Sequence, residues 1–147
     1  MLFLDTSALL SYKREESVVV SYLDENKPWF TSTICIYEFV NGAMWKDNLT
    51  AHVARQSIGG VQSIDLSETV VMEAARIQNK LRRDGEEMAV RDLLVAATAR
   101  STGAEIVVAD SDFQTEYLRD LMTVTDFRRA GRQSRDECPD NPDQPSD

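Results

Sequence analysis

Two stretches of this chain are wholly apolar, very short, and end abruptly in an acid. Leu2-Phe3-Leu4 runs into Asp5, and Ile106-Val107-Val108-Ala109 runs into Asp110. A strand of that length with no polar alternation has no face to offer to water, so it belongs in a sheet covered on both sides. Helical patterns fill the space between. Thr6 or Ser7 is a suitable N-cap for a helix after the first strand, and Val18–Leu23 reads as a second helix. Strand-like residues 28–31 precede a mostly apolar helix over 33–46 and a more polar one over 50–57. Val61–Asp65 alternates like a short strand. Residues 67–83 then place Val70, Ala74, Ile77 and Leu81 on one helical face. A small-residue helix over 89–101 has Gly103 placed for its C-terminal cap. The strand at 105–109, a short helix over 113–120 and a last strand over 122–125 complete the body. Strands separated by helices predict an α/β fold, a mainly parallel central sheet with helices on both faces. Strand order stays open.

The body is predicted to end near residue 130. Residues 131–147 hold three of the four prolines and a single apolar residue, Cys138. Such a segment cannot bury enough apolar surface to offset its ordering entropy, so it is expected to be a disordered acidic tail. The remaining 1–130 is long enough for a single core. A net charge of -9 argues against a globally basic nucleic-acid-binding surface. No apolar run reaches the length of a membrane span, and Asp5 interrupts any signal-peptide core. Cys35 and Cys138 are too few for a disulfide framework, which fits a reduced cytoplasm. His52 is the only histidine, which argues against a histidine-based metal site or a Ser-His-Asp triad. If this chain is an enzyme, its chemistry must run on carboxylates.

Two further acids stand where apolar residues are expected. Glu38 shares its helical stripe with Ile34, Asn41 and Trp45; Asp92 shares one with Met88, Ala89, Val95, Ala96 and Ala99. An ionised carboxylate on an inward face is costly unless a cation or strong donors meet it. A salt bridge from Arg91 or Arg100 would satisfy one such site. Four acids from four elements are met more economically by one shared metal ion. Two carboxylates about 5 Å apart repel by roughly 3 kcal/mol at an effective dielectric near 20, so the cluster needs such a counter-charge. An all-oxygen donor set selects a hard cation, Mg²⁺ with Mn²⁺ as a substitute, over zinc. Such ions polarise phosphodiesters and activate water for hydrolysis.

At this point the chain resembles a known family. LFLDTSALL with Asp5, STICIYEFVNGA with Glu38, and RDLLVAATARSTGAEIVVADSDF with Asp92 and Asp110 are similar to the motifs of PIN-domain ribonucleases. The likeness is greatest to the VapC-type toxins of toxin–antitoxin pairs, and it spans 1–127. It implies a PIN-like fold and an endoribonuclease whose catalytic, metal-holding acids are Asp5, Glu38, Asp92 and Asp110. Asp112 is a candidate fifth acid or an N-cap. Thr6 and Ser7 either hold a metal-bound water or cap the helix. The resemblance further implies an RNA substrate, a protein antitoxin as partner and a homodimer. With no dense basic run, RNA contacts would come from scattered residues; Arg14, Lys46, Arg82, Arg83 and Arg91 are candidates.

Two alternatives belong to other functional classes. A receiver-like regulatory module also gathers aspartates at strand ends, but it carries a lysine after a late strand. Here Asp110-Ser111-Asp112 and Asp126-Phe127-Arg128 stand at those places. A catalytically silent PIN-like binding module would be marked by a lost carboxylate, and all four are present.

Overall fold

Five strands form one sheet in the order β3-β2-β1-β4-β5, and every neighbouring pair is parallel. The computed structural model describes residues 1–109, 113 and 115–128. In chain order the elements are β1 (Leu2–Leu4), α1 (Thr6–Lys13), α2 (Ser17–Glu25), β2 (Trp29–Ser32), α3 (Thr33–Asp47) and α4 (Ala51–Gln56). They continue with β3 (Val61–Ile64), α5 (Glu68–Arg83), α6 (Val90–Thr102), β4 (Glu105–Val108) and β5 (Val124–Asp126). The acidic tail expected over 131–147 lies outside the described residues.

The two apolar runs lie side by side at the centre. Phe3 is in register with Phe30 of β2 on one side and Ile106 of β4 on the other. Phe3, Ile106, Val107 and Val108 are completely buried, as a strand without alternation demands. The edge strand β5 is only half-buried along its length. From β1 the chain steps outward through β2 to β3, then crosses back to β4 and continues to β5. Right-handed crossovers therefore place α1 to α4 on one face and α5 and α6 on the other. The packing agrees: α1 lies against α2 and α3, α3 against α4, and α5 against α6. Val70, Ala74, Ile77 and Leu81 are all buried, so α5 presents the face its periodicity predicts.

Helix ends follow local chemistry, with one correction. Gly103 closes α6 in the left-handed region at φ 71°, where a side chain would be strained. The N-cap of α1, by contrast, is Asp5, not Thr6 or Ser7. β1 stops at Leu4 and α1 starts at Thr6, which leaves Asp5 as the only linking residue, in extended conformation at φ -70° and ψ 163°. Ser32 plays the same double part, closing β2 and capping α3 through the Ile34 N–H.

The helix expected over 113–120 is not formed: residues 116–121 are turns. Leu118 N–H donates to Thr115 O and Leu121 N–H to Leu118 O, bonds three residues apart. A segment this short gains little from helix propagation, and its shape follows its buried anchors, Phe113, Thr115 and Leu118. The last strand accordingly begins at Val124 and not at Met122. Among the described residues, no helix is long and apolar enough to cross a membrane.

Candidate functional site

The chain reverses its direction of travel across the sheet between β1 and β4, and ligands in open parallel sheets bind at such a switch point, beyond the carboxyl ends of the strands. Asp5 stands there, 1% exposed, with its N–H donating to Val107 O of β4 at 3.0 Å. Its two carboxylate oxygens have separate tasks. Oδ2 accepts from the Ser7 hydroxyl at 3.0 Å and from the Ser7 N–H at 3.4 Å, which caps α1. Oδ1 faces the other way and meets Arg91 Nη1 at 3.0 Å and the Cys35 thiol at 3.8 Å. Ser7 also accepts from the Ala109 N–H at 2.9 Å, so one hydroxyl ties the end of β4 to the acid at the end of β1. Asp110 follows Ala109 directly, but Asp110 and Asp112 both lie outside the described residues.

The other two acids arrive from opposite helical layers. Glu38 is in the second turn of α3, where the Thr6 hydroxyl donates to Oε1 at 2.7 Å. Asp92 is in the first turn of α6, where the helix dipole favours negative charge. Arg91 lies between them. Its Nη1 is 3.0 Å from both Asp5 Oδ1 and Asp92 Oδ1. Its Nη2 is 2.5 Å from Glu38 Oε1 and 3.1 Å from the Thr6 hydroxyl, and Nε reaches Glu38 at 3.2 Å. The guanidinium Cζ also lies 5.8 Å from the Phe113 ring centroid, a cation–π contact. A planar fork of five N–H donors matches this ring of acceptors, a role lysine could not fill.

The charges respond. Burial pushes the Glu38 pKa upward, but hydrogen bonds from Arg91 and Thr6, together with the Arg91 charge, outweigh it and hold the carboxyl below its ordinary value. Burial weakens the Arg91 cation, but its hydrogen bond to Glu38 and the Asp5 charge overcome this and raise its pKa further. Burial first, and then the Asp5 charge, push the Cys35 thiol up to about 11, so it stays a neutral donor beneath the acid.

Of the predicted acids, the described structure thus brings Asp5, Glu38 and Asp92 onto one positive centre, with Thr6 and Ser7 bonded to Glu38 and Asp5. The salt bridge proposed from Arg91 or Arg100 is made by Arg91; Arg100 pairs with Glu73 at 3.3 Å. Among the described residues no three Asp, Glu, His or Cys side chains stand close enough to hold a metal ion unaided. The guanidinium separates these acids and bonds to each. Three carboxylates against one guanidinium still leave excess negative charge, and every donor atom is a hard oxygen, so the donor chemistry suits a hard divalent cation.

Other expectations need revision. The Glu38 stripe does not pack inward along its length: Asn41 is exposed and Trp45 is 89% exposed, because α3 runs past the edge of the core beyond Val40. Arg14, Lys46, Arg82 and Arg83 are all exposed, and Arg82 pairs with Glu87 at 2.9 Å. Sequence reasoning also passed over a second acid–arginine pair at the end of β5. Asp126, its side chain 5% exposed, binds Arg128 at 2.5 Å and accepts from the Thr115 hydroxyl at 3.2 Å. The signal was an acid closing a short strand with an arginine two residues on.

Comparison with known proteins completes this picture. A search of curated proteins finds no match. Among solved structures, a toxin–antitoxin complex from Klebsiella pneumoniae aligns at TM-score 0.68 and 16% identity, covering 85% of this chain and 96% of that one. DNA-bound VapBC from Salmonella typhimurium aligns at TM-score 0.66 and 20% identity, covering 86% and 97%. VapC20 from Mycobacterium tuberculosis, described as a sarcin–ricin loop cleaving toxin, aligns at TM-score 0.57 and 21% identity, covering 79% and 95%. At these identities the likeness shows the fold alone. The family model described as PIN domain matches residues 2–115, a span that takes in β1 through β4 and carries Asp5, Glu38, Asp92 and Asp110 together. On that match, and with its acids gathered at the switch point of a parallel sheet, the chain belongs to the PIN-domain family.

Proposed function

We propose that this chain is a Mg²⁺-dependent endoribonuclease, with Mn²⁺ able to substitute, acting as the toxin of a toxin–antitoxin pair. The observation that carries this reading is the convergence of Asp5, Glu38 and Asp92, from three separate elements, on one cationic position at the β1/β4 switch point. Asp5, Glu38 and Asp92 would hold the divalent ion together with Asp110, which follows Ala109 at the end of β4. When bound, such an ion supplies Lewis acidity toward a phosphoryl oxygen and stabilises the charge of the leaving oxygen. The chain's own part is positional. Ser7 fixes Asp5 through two bonds, and Thr6 orients Glu38. An antitoxin partner is supported by the structural neighbours named above, which include toxin–antitoxin complexes. A homodimer and a cytoplasmic setting belong to the same reading.

The Arg91 contacts also favour a second reading, in which the acids serve as a structural ion cluster and the chain is a catalytically silent binding module. Incubation with total RNA separates the two. The nuclease reading requires Mg²⁺-dependent cleavage that EDTA abolishes and that Asp5→Asn loses while the fold is kept. A purified, folded protein that leaves RNA intact in Mg²⁺ and in Mn²⁺ would establish the silent module.

A further inference from the structure

The guanidinium of Arg91 binds the same oxygens that the divalent ion needs. Nη1 is 3.0 Å from Asp5 Oδ1 and from Asp92 Oδ1, and Nη2 is 2.5 Å from Glu38 Oε1. A hard cation bound directly by those oxygens would sit at about 2.1 Å from them. A guanidinium within hydrogen-bond distance of the same atoms would then face a dication with no anion between. The two cations are alternatives. The Arg91 side chain is 33% exposed, so it has solvent to retreat into.

We propose that Arg91 is a built-in counter-ion that competes with the divalent ion for the carboxylates and, once displaced, becomes the site's contact to an RNA phosphate. The proposal rests on the metal-nuclease reading above. It assigns Arg91 two successive partners. Without metal, its five N–H donors satisfy Asp5, Glu38, Asp92 and Thr6, and the acids stay gathered despite their mutual repulsion. With metal bound, those acceptors are taken and the fork is left at the rim of the same site. Such a fork matches two oxygens of a phosphate bidentately. Arg91 immediately precedes Asp92 in α6, so its displaced head stays tethered within one side-chain length of the metal position. Of the other candidates for RNA contact, Arg14, Lys46 and Arg83 are exposed surface residues, and Arg82 is paired with Glu87.

The test is Mn²⁺ binding by isothermal titration calorimetry on the full chain, wild type against Arg91→Met, with RNA cleavage measured in parallel. Coupling free energies between interacting groups in a protein commonly shift an affinity by about 5- to 150-fold. Arg91→Met should therefore bind Mn²⁺ at least about fivefold tighter while its KM for RNA rises. Equal or weaker Mn²⁺ affinity in the variant would overturn the proposal and leave the metal reading standing. If neither protein binds Mn²⁺, both fall together. Should Arg91→Met fail to fold, the wild type decides by NMR of the Arg91 Nε–Hε group. That signal should move on Mn²⁺-site loading with diamagnetic Mg²⁺, and an unchanged signal in a protein whose backbone amides near Asp5 do respond would refute displacement.

Discussion

Removing Arg91 tests whether the acids at the switch point are held together by a single cation. In Arg91→Met the stem is kept and the charge is lost. At an effective dielectric near 20, a guanidinium and a carboxylate with charge centres about 4 Å apart attract by about 4 kcal/mol. Arg91 makes such contacts with Asp5, Glu38 and Asp92. The gross loss is reduced because the acids are partly hydrated, Glu38 at 34% and Asp92 at 15% side-chain exposure. Asp5 is buried and, among the described residues, its carboxylate keeps its Ser7 and Cys35 contacts. Breaking a buried ion pair from one side costs about 3–5 kcal/mol, and the lower end applies here. We expect a loss of about 3 kcal/mol in urea unfolding at pH 7 in EDTA, or about 10 °C in Tm. Saturating Mn²⁺ should recover more stability in the variant than in wild type, since the ion then replaces the missing charge. Arg100→Met is the control: its bridge to Glu73 is half-exposed and worth less than about 1 kcal/mol. If Arg91→Met costs no more than this control, Arg91 is not the cation that holds the cluster.

Three further outcomes follow from other parts of the molecule. Gln78 is buried and bonds both the N–H and the carbonyl of Met88, so Gln78→Leu should cost about 2–3 kcal/mol in denaturant unfolding by orphaning both groups. Burial raises the Asp126 pKa, but hydrogen bonds and charge from Arg128 hold it below its usual value. Its stabilising effect is therefore full above the unfolded carboxyl range and lost as pH falls through the folded pKa; Asp126→Asn should flatten the acid limb of a stability–pH profile. A truncation ending at Ala130 should keep its fold by circular dichroism and its RNA cleavage, and loss of either would show that the tail docks on the body.

The elements that could be read from the residues are those whose pattern has one physical solution. Leu2-Phe3-Leu4 and Ile106-Val107-Val108 can only be covered strands, and the α5 stripe can only face a core. Strand order is a long-range matter and carries no local signal, yet it is what makes Asp5 and the end of β4 neighbours. Asp5 shows how one residue can satisfy two readings that look opposed. One oxygen caps α1 and the other faces the cluster. Glu38 was found through a stripe that turned out to be half wrong, since Trp45 points into solvent. The site acid sits where that stripe leaves the core, and only the fold shows where that is. Arg91 was legible as a residue type but not as a centre. Its partners come from α1, α3, α6 and the residue after β1, and no sequence spacing joins them.

The most direct measurement of the central claim is cleavage of total RNA by purified wild-type protein and Asp5→Asn, each with Mg²⁺ and with EDTA. Asn still caps α1 about as well as Asp, so the variant should stay folded by circular dichroism while losing a charge that the metal needs. The account predicts fragments only for wild type with Mg²⁺. Equal cleavage by Asp5→Asn, or cleavage by wild type that persists in EDTA, would contradict it.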